Sequence, residues 1–232
     1  MQFVREEQHP KWITNIVPVP KKKGKIQICI DFRDLNAACP KDVFPLPIMD
    51  IMIDNVCGFE MMSFMDSFSE YNQIKIYPED EKHTSFRIPL GVYCYTVMPF
   101  GLKNAGATYQ CVMNMIFHEY IRKTLECYVD DIAVKSCDKG DRIADLMRVF
   151  DIMRAYQLKM NPTKSFLGVA NGKFLGFVGT YKRIHLDPEK VHAIQEMQPP
   201  RNLKELRELQ GLWPTSKDLY QIFQDVANPS LS

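Results

Sequence analysis

The sequence predicts an α+β fold, an antiparallel sheet backed by helices. Hydrophobic periodicity gives a mixed order of strand, helix, strand pair, helix and strand, which is the pattern of a sheet covered by helices. With 46% hydrophobic residues in 232, the chain can bury one sizeable core or two small ones. Short apolar strands also run directly into aspartates, at Asp66 and at the pair Asp130 and Asp131.

Residues 16–19 and 26–30 (IQICI) are apolar runs on either side of a Lys-Gly turn and predict a hairpin. Residues 31–47 are rich in Pro, Asp and Asn and predict a connecting loop. A strand follows at 62–65, and 84–88 should pair with 93–98 across the Pro89-Leu90-Gly91 turn. Residues 104–121 predict a helix whose apolar face is Val112, Met115, Ile116 and Phe117.

Residues 125–134 alternate on both sides of Asp130-Asp131 and predict two strands with the acidic pair at the hairpin tip. A helix over 141–156 would bury Ile143, Leu146, Met147, Phe150 and Met153. One strand is expected at 173–179 and a helix at 187–197 with Pro188 at its first position. Asn202 and Glu205 suggest a capping arrangement for a last helix ended by Gly211.

A net charge of +1 argues against a protein that binds nucleic acid through bulk charge, so any nucleic acid must be met by local patches. One such patch is the run Lys21, Lys22, Lys23 and Lys25 around Gly24. Seven cysteines, an odd number without a C-x-x-C pair, fit free thiols in a reducing compartment. None of the five histidines forms a zinc-type array with them. The first ten residues lack an apolar signal core and no run reaches ~18 apolar residues, so the expectation is an intracellular protein with no membrane partner.

Tyr128-Val129-Asp130-Asp131 places two carboxylates at the tight end of an apolar hairpin, and Asp66 ends another strand. Crowded carboxylates on a rigid sheet edge are costly unless a cation sits among them. Held together, they can bind hard divalent ions that activate one oxygen and stabilise a leaving one, which is what nucleotidyl transfer needs. The bland alternative is a turn in which Asp caps a backbone amide.

The YVDD box, the Asp66 strand followed by Tyr71-Asn72-Gln73-Ile74, MPFGLKNAGATYQ (98–110), IDFRDLN (30–36), PKDVFPLP (40–47) and FLGF (174–177) occur here in one chain. Their order resembles that of reverse transcriptases, and more narrowly that of the polymerase of plant gypsy-type LTR retrotransposons, over about residues 5–210. The resemblance implies a right-hand polymerase palm with fingers at 1–180, palm motifs about 60–180, and the start of a truncated thumb at 181–232. It also implies an RNA-directed DNA polymerase using two Mg²⁺ ions, with Mn²⁺ able to substitute. Partners would be an RNA or DNA template with primer and deoxynucleoside triphosphates. A thumb, ribonuclease H and integrase from the rest of a polyprotein would act in trans, in the cytoplasm or the nucleus.

Residue by residue, the resemblance makes Asp66, Asp130 and Asp131 metal ligands with the Ser67 carbonyl assisting. Tyr71 would be the steric gate against a ribose 2′-hydroxyl, and Phe100 and Gly101 would lie against nucleotide and template. Lys22 or Lys23 would neutralise the triphosphate, and Lys164 would protonate the leaving pyrophosphate. Tyr128 and Phe174, Leu175 and Gly176 would contact nucleic acid. Two positions depart from the pattern. Gln27 stands at the nucleotide-binding position where the family usually has Arg, removing a charge-assisted pair worth about 2 to 3 kcal/mol. Glu70 stands where it usually has Gly, adding an anion beside a site for an anionic triphosphate. These departures motivate the competing expectation of a catalytically dead remnant that keeps the fold and at most binds nucleic acid.

Overall fold

A computed structural model describes residues 3–20, 24, 26–56, 58–136, 140–180, 184–189, 192 and 202. In chain order the strands and helices are β1 (Val4–Glu6), β2 (Ile16–Pro20), β3 (Ile26–Ile30), α1 (Arg33–Ala38), α2 (Met49–Val56), β4 (Met62–Asp66), β5 (Phe86–Ile88) and β6 (Gly91–Tyr95). They continue with α3 (Ala105–Ile116), β7 (Leu125–Tyr128), β8 (Asp131–Lys135), α4 (Arg142–Ala155), β9 (Phe166–Val169), β10 (Asn171–Phe174), β11 (Phe177–Thr180) and β12 (Ile184–Leu186).

The central sheet is antiparallel, in the order β7-β8-β4-β9. Side chains alternate across it, so β4 and β8 each feed two cores. Met65 of β4, Leu125 and Cys127 of β7, and Ile132 and Val134 of β8 face α3 and α4, where Tyr109, Met113, Val149 and Met153 complete the larger core. Met62, Phe64 and Ala133 face the other way, onto Met52 and Val56 of α2 and Phe174 of β10. Both faces are therefore covered, where the sequence led us to expect helices on one.

Several elements correct the sequence reading. The loop expected over 31–47 contains α1, whose entry is held by Asp31, with Oδ1 accepting the Arg33 N–H at 3.1 Å. Helix α2 had no sequence-based expectation, and neither did β1 or β9. The strand expected over 173–179 is a hairpin, β10 against β11, turning at Leu175 (φ 52°) and Gly176 (φ 83°). Two consecutive positive φ values make a tight hairpin turn, which favours glycine at one or both positions. The hairpin crosses β4 closely, and a Cβ on Gly172 would lie 2.0 Å from the Phe64 ring.

The apolar faces of the two long helices match expectation in part: Phe117 and Met153 are buried, and Ile116, Leu146 and Phe150 pack against the core. α3 buries Ala105, Tyr109, Gln110 and Met113, while Met115 is exposed. α4 buries Asp145, Val149 and Met153, while Ile143 is 74% exposed and Met147 is exposed too. Asp145 is tolerated inside because Oδ2 accepts the Ser136 hydroxyl at 2.8 Å and Oδ1 accepts Arg148 Nη1 at 2.8 Å.

The β2–β3 hairpin is a separate two-stranded sheet in full register from Ile16↔Ile30 to Pro20↔Ile26. The 84–88 and 93–98 pairing is realised as β5 and β6, with β1 added on the far edge of β6. Cys94 and Cys127 are buried free thiols, as expected, whereas Cys29, Cys39 and Cys111 are half-buried. The helix expected over 187–197 falls largely outside the described residues, as do Glu205 and Gly211 of the last one.

Candidate active site

The three aspartates converge because two strand ends meet. In the β4–β8 ladder Asp66 lies directly opposite Asp131, and by the period-2 alternation both belong to the face of Phe64 and Ala133. Asp130 occupies the β7–β8 turn beside them, and its carbonyl accepts the Ser67 N–H at 3.1 Å. That turn is strained: Val129, a β-branched residue, has φ 50°. Gln110 of α3, fully buried, holds it, with Oε1 accepting the Val129 N–H at 2.7 Å and Nε2 donating to the Cys127 carbonyl at 2.9 Å.

Lys164 Nζ donates to Asp66 Oδ2 at 3.2 Å, which raises the lysine's affinity for its proton. Burial, then repulsion from Asp130 and Asp66, pushes the Asp131 carboxyl up to about 6. Asp130 is raised too, by burial first and then by Asp66. Glu70 is raised by burial and by Asp130 and Asp66, so the anion expected to disturb the site does lie within its field.

Among the described residues, no three His, Cys, Asp or Glu side chains are drawn into a ready-made cation cage. Mg²⁺ is ordinarily held by one or two carboxylates completed by phosphate oxygens and water, so the fit is decided by the donor chemistry. Three carboxylates, two of them reluctant to ionise first because they are buried and then because of neighbouring carboxylates, fit a hard divalent cation, whose charge would favour their ionised forms.

Beside the acids lies an aromatic group. Tyr71, in the 3-10 turn Glu70–Gln73, meets the Phe100 ring edge-on at 5.2 Å and the Tyr109 ring at 5.9 Å. Tyr109 anchors the group by donating its hydroxyl to Ser67 Oγ at 2.9 Å. Phe100 is half exposed, and Gly101 (φ 95°) adopts a conformation that favours glycine, its carbonyl accepting Asn36 Nδ2 at 2.7 Å.

Gln27 is exposed on β3 opposite Val19, and Tyr128 sits opposite Asp131. Phe174 requires a correction. Its ring is buried against Phe64, with centroids 6.2 Å apart, so it serves the core, while Leu175 and Gly176 after it are partly exposed. Lys22 and Lys23 lie outside the described residues. The sequence reading missed Gln110, Tyr109 and Gln73 as residues that hold the site. A glutamine beside a tyrosine on an otherwise apolar helix face was the available signal for the first two.

A family model for reverse transcriptase (RNA-dependent DNA polymerase) matches residues 19–178, most of the chain and all three aspartates. The chain belongs to the reverse transcriptase family. This reverse transcriptase chain is 32% identical over 220 residues to the retrovirus-related Pol polyprotein from transposon opus of Drosophila melanogaster, covering 95% of the chain and 22% of that protein. It is 29% identical over 193 residues to the transposon Tf2-3 polyprotein of Schizosaccharomyces pombe, covering 83% of the chain and 14% of the relative. The chain thus spans between a seventh and about a fifth of these polyproteins' length.

Among solved structures, the fold matches the foamy viral protease-reverse transcriptase in complex with an RNA/DNA hybrid, with a TM-score of 0.78, 24% identity, and coverage of 90% of this chain and 28% of that one. The same viral protein in complex with double-stranded DNA matches with a TM-score of 0.78 over 97% of this chain and 48% of that one. No helix among the described residues is long and apolar enough to cross a membrane.

Proposed function

We propose that this reverse transcriptase domain catalyses template-directed nucleotidyl transfer: a primer 3′-oxygen bonds to the α-phosphorus of a deoxynucleoside triphosphate, the bond to the bridging oxygen breaks, and pyrophosphate leaves. The observation that carries the reading is the register that sets Asp66 against Asp131, with Asp130 in the adjoining turn and Lys164 on Asp66. When bound, Mg²⁺ or Mn²⁺ supplies Lewis acidity to the attacking and leaving oxygens.

The chain's own residues do the rest. Asp66, Asp130, Asp131 and the Ser67 carbonyl would hold the cations. Lys164 holds a proton at Nζ that can pass to the bridging oxygen of the leaving group. The Tyr71 ring, braced by Phe100 and Tyr109, excludes a ribose 2′-hydroxyl, and Gly101 lets backbone approach the nucleotide. Lys22 and Lys23 on the β2–β3 connection would meet the triphosphate, and Tyr128 with the Leu175-Gly176 turn would meet the primer-template.

In this reading residues 1–180 are fingers and palm, and 181–232 lead toward a thumb. Motif order supports a gypsy-type element of the plant kind working on RNA or DNA templates, and the family resemblance makes the cytoplasm its compartment. A second reading, a fold that no longer catalyses, is favoured by Gln27 and by Glu70, which lies within the field of the acids. Primer extension on poly(rA)·oligo(dT) with Mg²⁺, comparing the chain with its Asp130→Asn, Asp131→Asn variant, separates the two. Incorporation lost in the variant supports the enzyme, and no incorporation by either folded protein supports the remnant.

A further inference from the structure

The 3-10 turn that carries Tyr71 ends in Gln73, whose side chain reaches a distant part of the chain. Its Oε1 accepts the Lys159 N–H at 2.6 Å, while Nε2 donates to the Lys159 carbonyl at 3.1 Å and to the Phe68 carbonyl at 2.8 Å. One amide thus satisfies both backbone groups of Lys159, as a neighbouring strand residue would, and ties them to the segment just after Asp66. The Phe68 N–H adds a bond to the Lys159 carbonyl at 2.9 Å, and Ser67 bridges Met160.

Immediately beyond Lys159 the chain makes the turn that delivers Lys164. The Asn161 N–H donates to the Asp66 carbonyl at 2.9 Å, and the Asp66 N–H donates to Ser165 Oγ at 3.3 Å. Ser165 Oγ in turn donates to the Asn161 carbonyl at 2.7 Å. The lysine side chain itself is largely exposed, so its position over Asp66 depends on the backbone beneath it.

We infer that Gln73 is a positioning residue: its amide clasps the 159–165 segment to the end of β4 and so sets Lys164 Nζ over Asp66. The inference rests on the nucleotidyl-transfer reading for its kinetic consequence and on geometry alone for the clasp. Gln73→Met keeps length and removes all three bonds. Hydrogen exchange of the full chain should show amides in 159–165 opening about tenfold faster in this variant, with the β7–β8 hairpin unchanged.

In primer extension, kcat should fall about tenfold in the wild-type background and by less than about twofold in a Lys164→Ala background, with KM for the nucleotide unchanged. Unchanged exchange, or an equal fall in both backgrounds, overturns the inference. Gln73→Asn, one methylene shorter, replaces the methionine variant where that one does not fold, and should give the same pattern more weakly. A wild-type chain that extends no primer overturns the nucleotidyl-transfer reading, while the exchange result still decides the clasp.

Discussion

Glu70 begins the turn that carries Tyr71, and its carboxylate, raised first by burial, lies in the field of Asp130 and Asp66, with Lys164 opposing them. An anionic triphosphate entering this site meets a fourth negative charge, worth about 1 kcal/mol of repulsion at a partly solvated distance. Glu70→Gly should therefore lower the KM for deoxynucleoside triphosphates about fivefold, as read by steady-state incorporation. An unchanged KM would show that the side chain swings clear of the nucleotide.

Asp131 gives a pH signature. Its carboxyl titrates at about 6 in the fold against an ordinary 3.8, so the folded state binds that proton more tightly than the unfolded chain does. Stability from this group is full below about 4, declines as pH rises to about 6, and stays at its lowest above. Asp131→Asn should gain on the wild type across that window in thermal melts run with chelator, and a constant difference would contradict the assignment. Asp66, Asp130 and Asp131 were legible in the sequence because strand patterning and turn position are local properties. Gln110 and Gln73 were not, because what they hold lies 19 and 86 residues away.

Helix faces were the least legible elements, for one physical reason. Hydrophobic periodicity counts Ile143 and Met147 as core and Gln110 and Asp145 as surface, whereas burial follows whether a polar group finds partners. The β7–β8 hairpin carries the extreme case. Lys135 Nζ donates to Glu126 Oε1 at 2.9 Å and to the Asn55 carbonyl at the end of α2 at 2.7 Å, with side chains only 5% and 2% exposed. Lys135→Met should cost about 3–5 kcal/mol in denaturant unfolding because Glu126 is left buried and unpaired. Adding Glu126→Leu should recover most of it, and a double variant no more stable than the single one would refute this.

Gly172 governs how the β10–β11 hairpin lies on the sheet. Any Cβ there meets the Phe64 ring, so Gly172→Ala should destabilise by about 1–3 kcal/mol, measured by the same unfolding. A neutral substitution would mean that the hairpin can shift without cost. That hairpin was read from sequence as one strand because its turn uses Leu175-Gly176 and not an Asn-Gly or Asp-Gly pair.

For the whole molecule, the α+β class, the central strands and the acidic hairpin were legible in the sequence, and the two-sided burial of the sheet was not. The second core depends on α2, which lies beyond the Pro-rich segment read as a loop, and on the hairpin folding back across β4. The outcome is a reverse transcriptase fold that gathers acids, a lysine and an aromatic group at one end of a doubly covered sheet.

Template-directed incorporation tests the proposed chemistry most directly. With Mg²⁺, the chain should add dTMP on poly(rA)·oligo(dT) and dGMP on poly(rC)·oligo(dG), each rejecting the other nucleotide, and Asp66→Asn should abolish both. Incorporation that ignores the template, or that survives loss of Asp66, would contradict it.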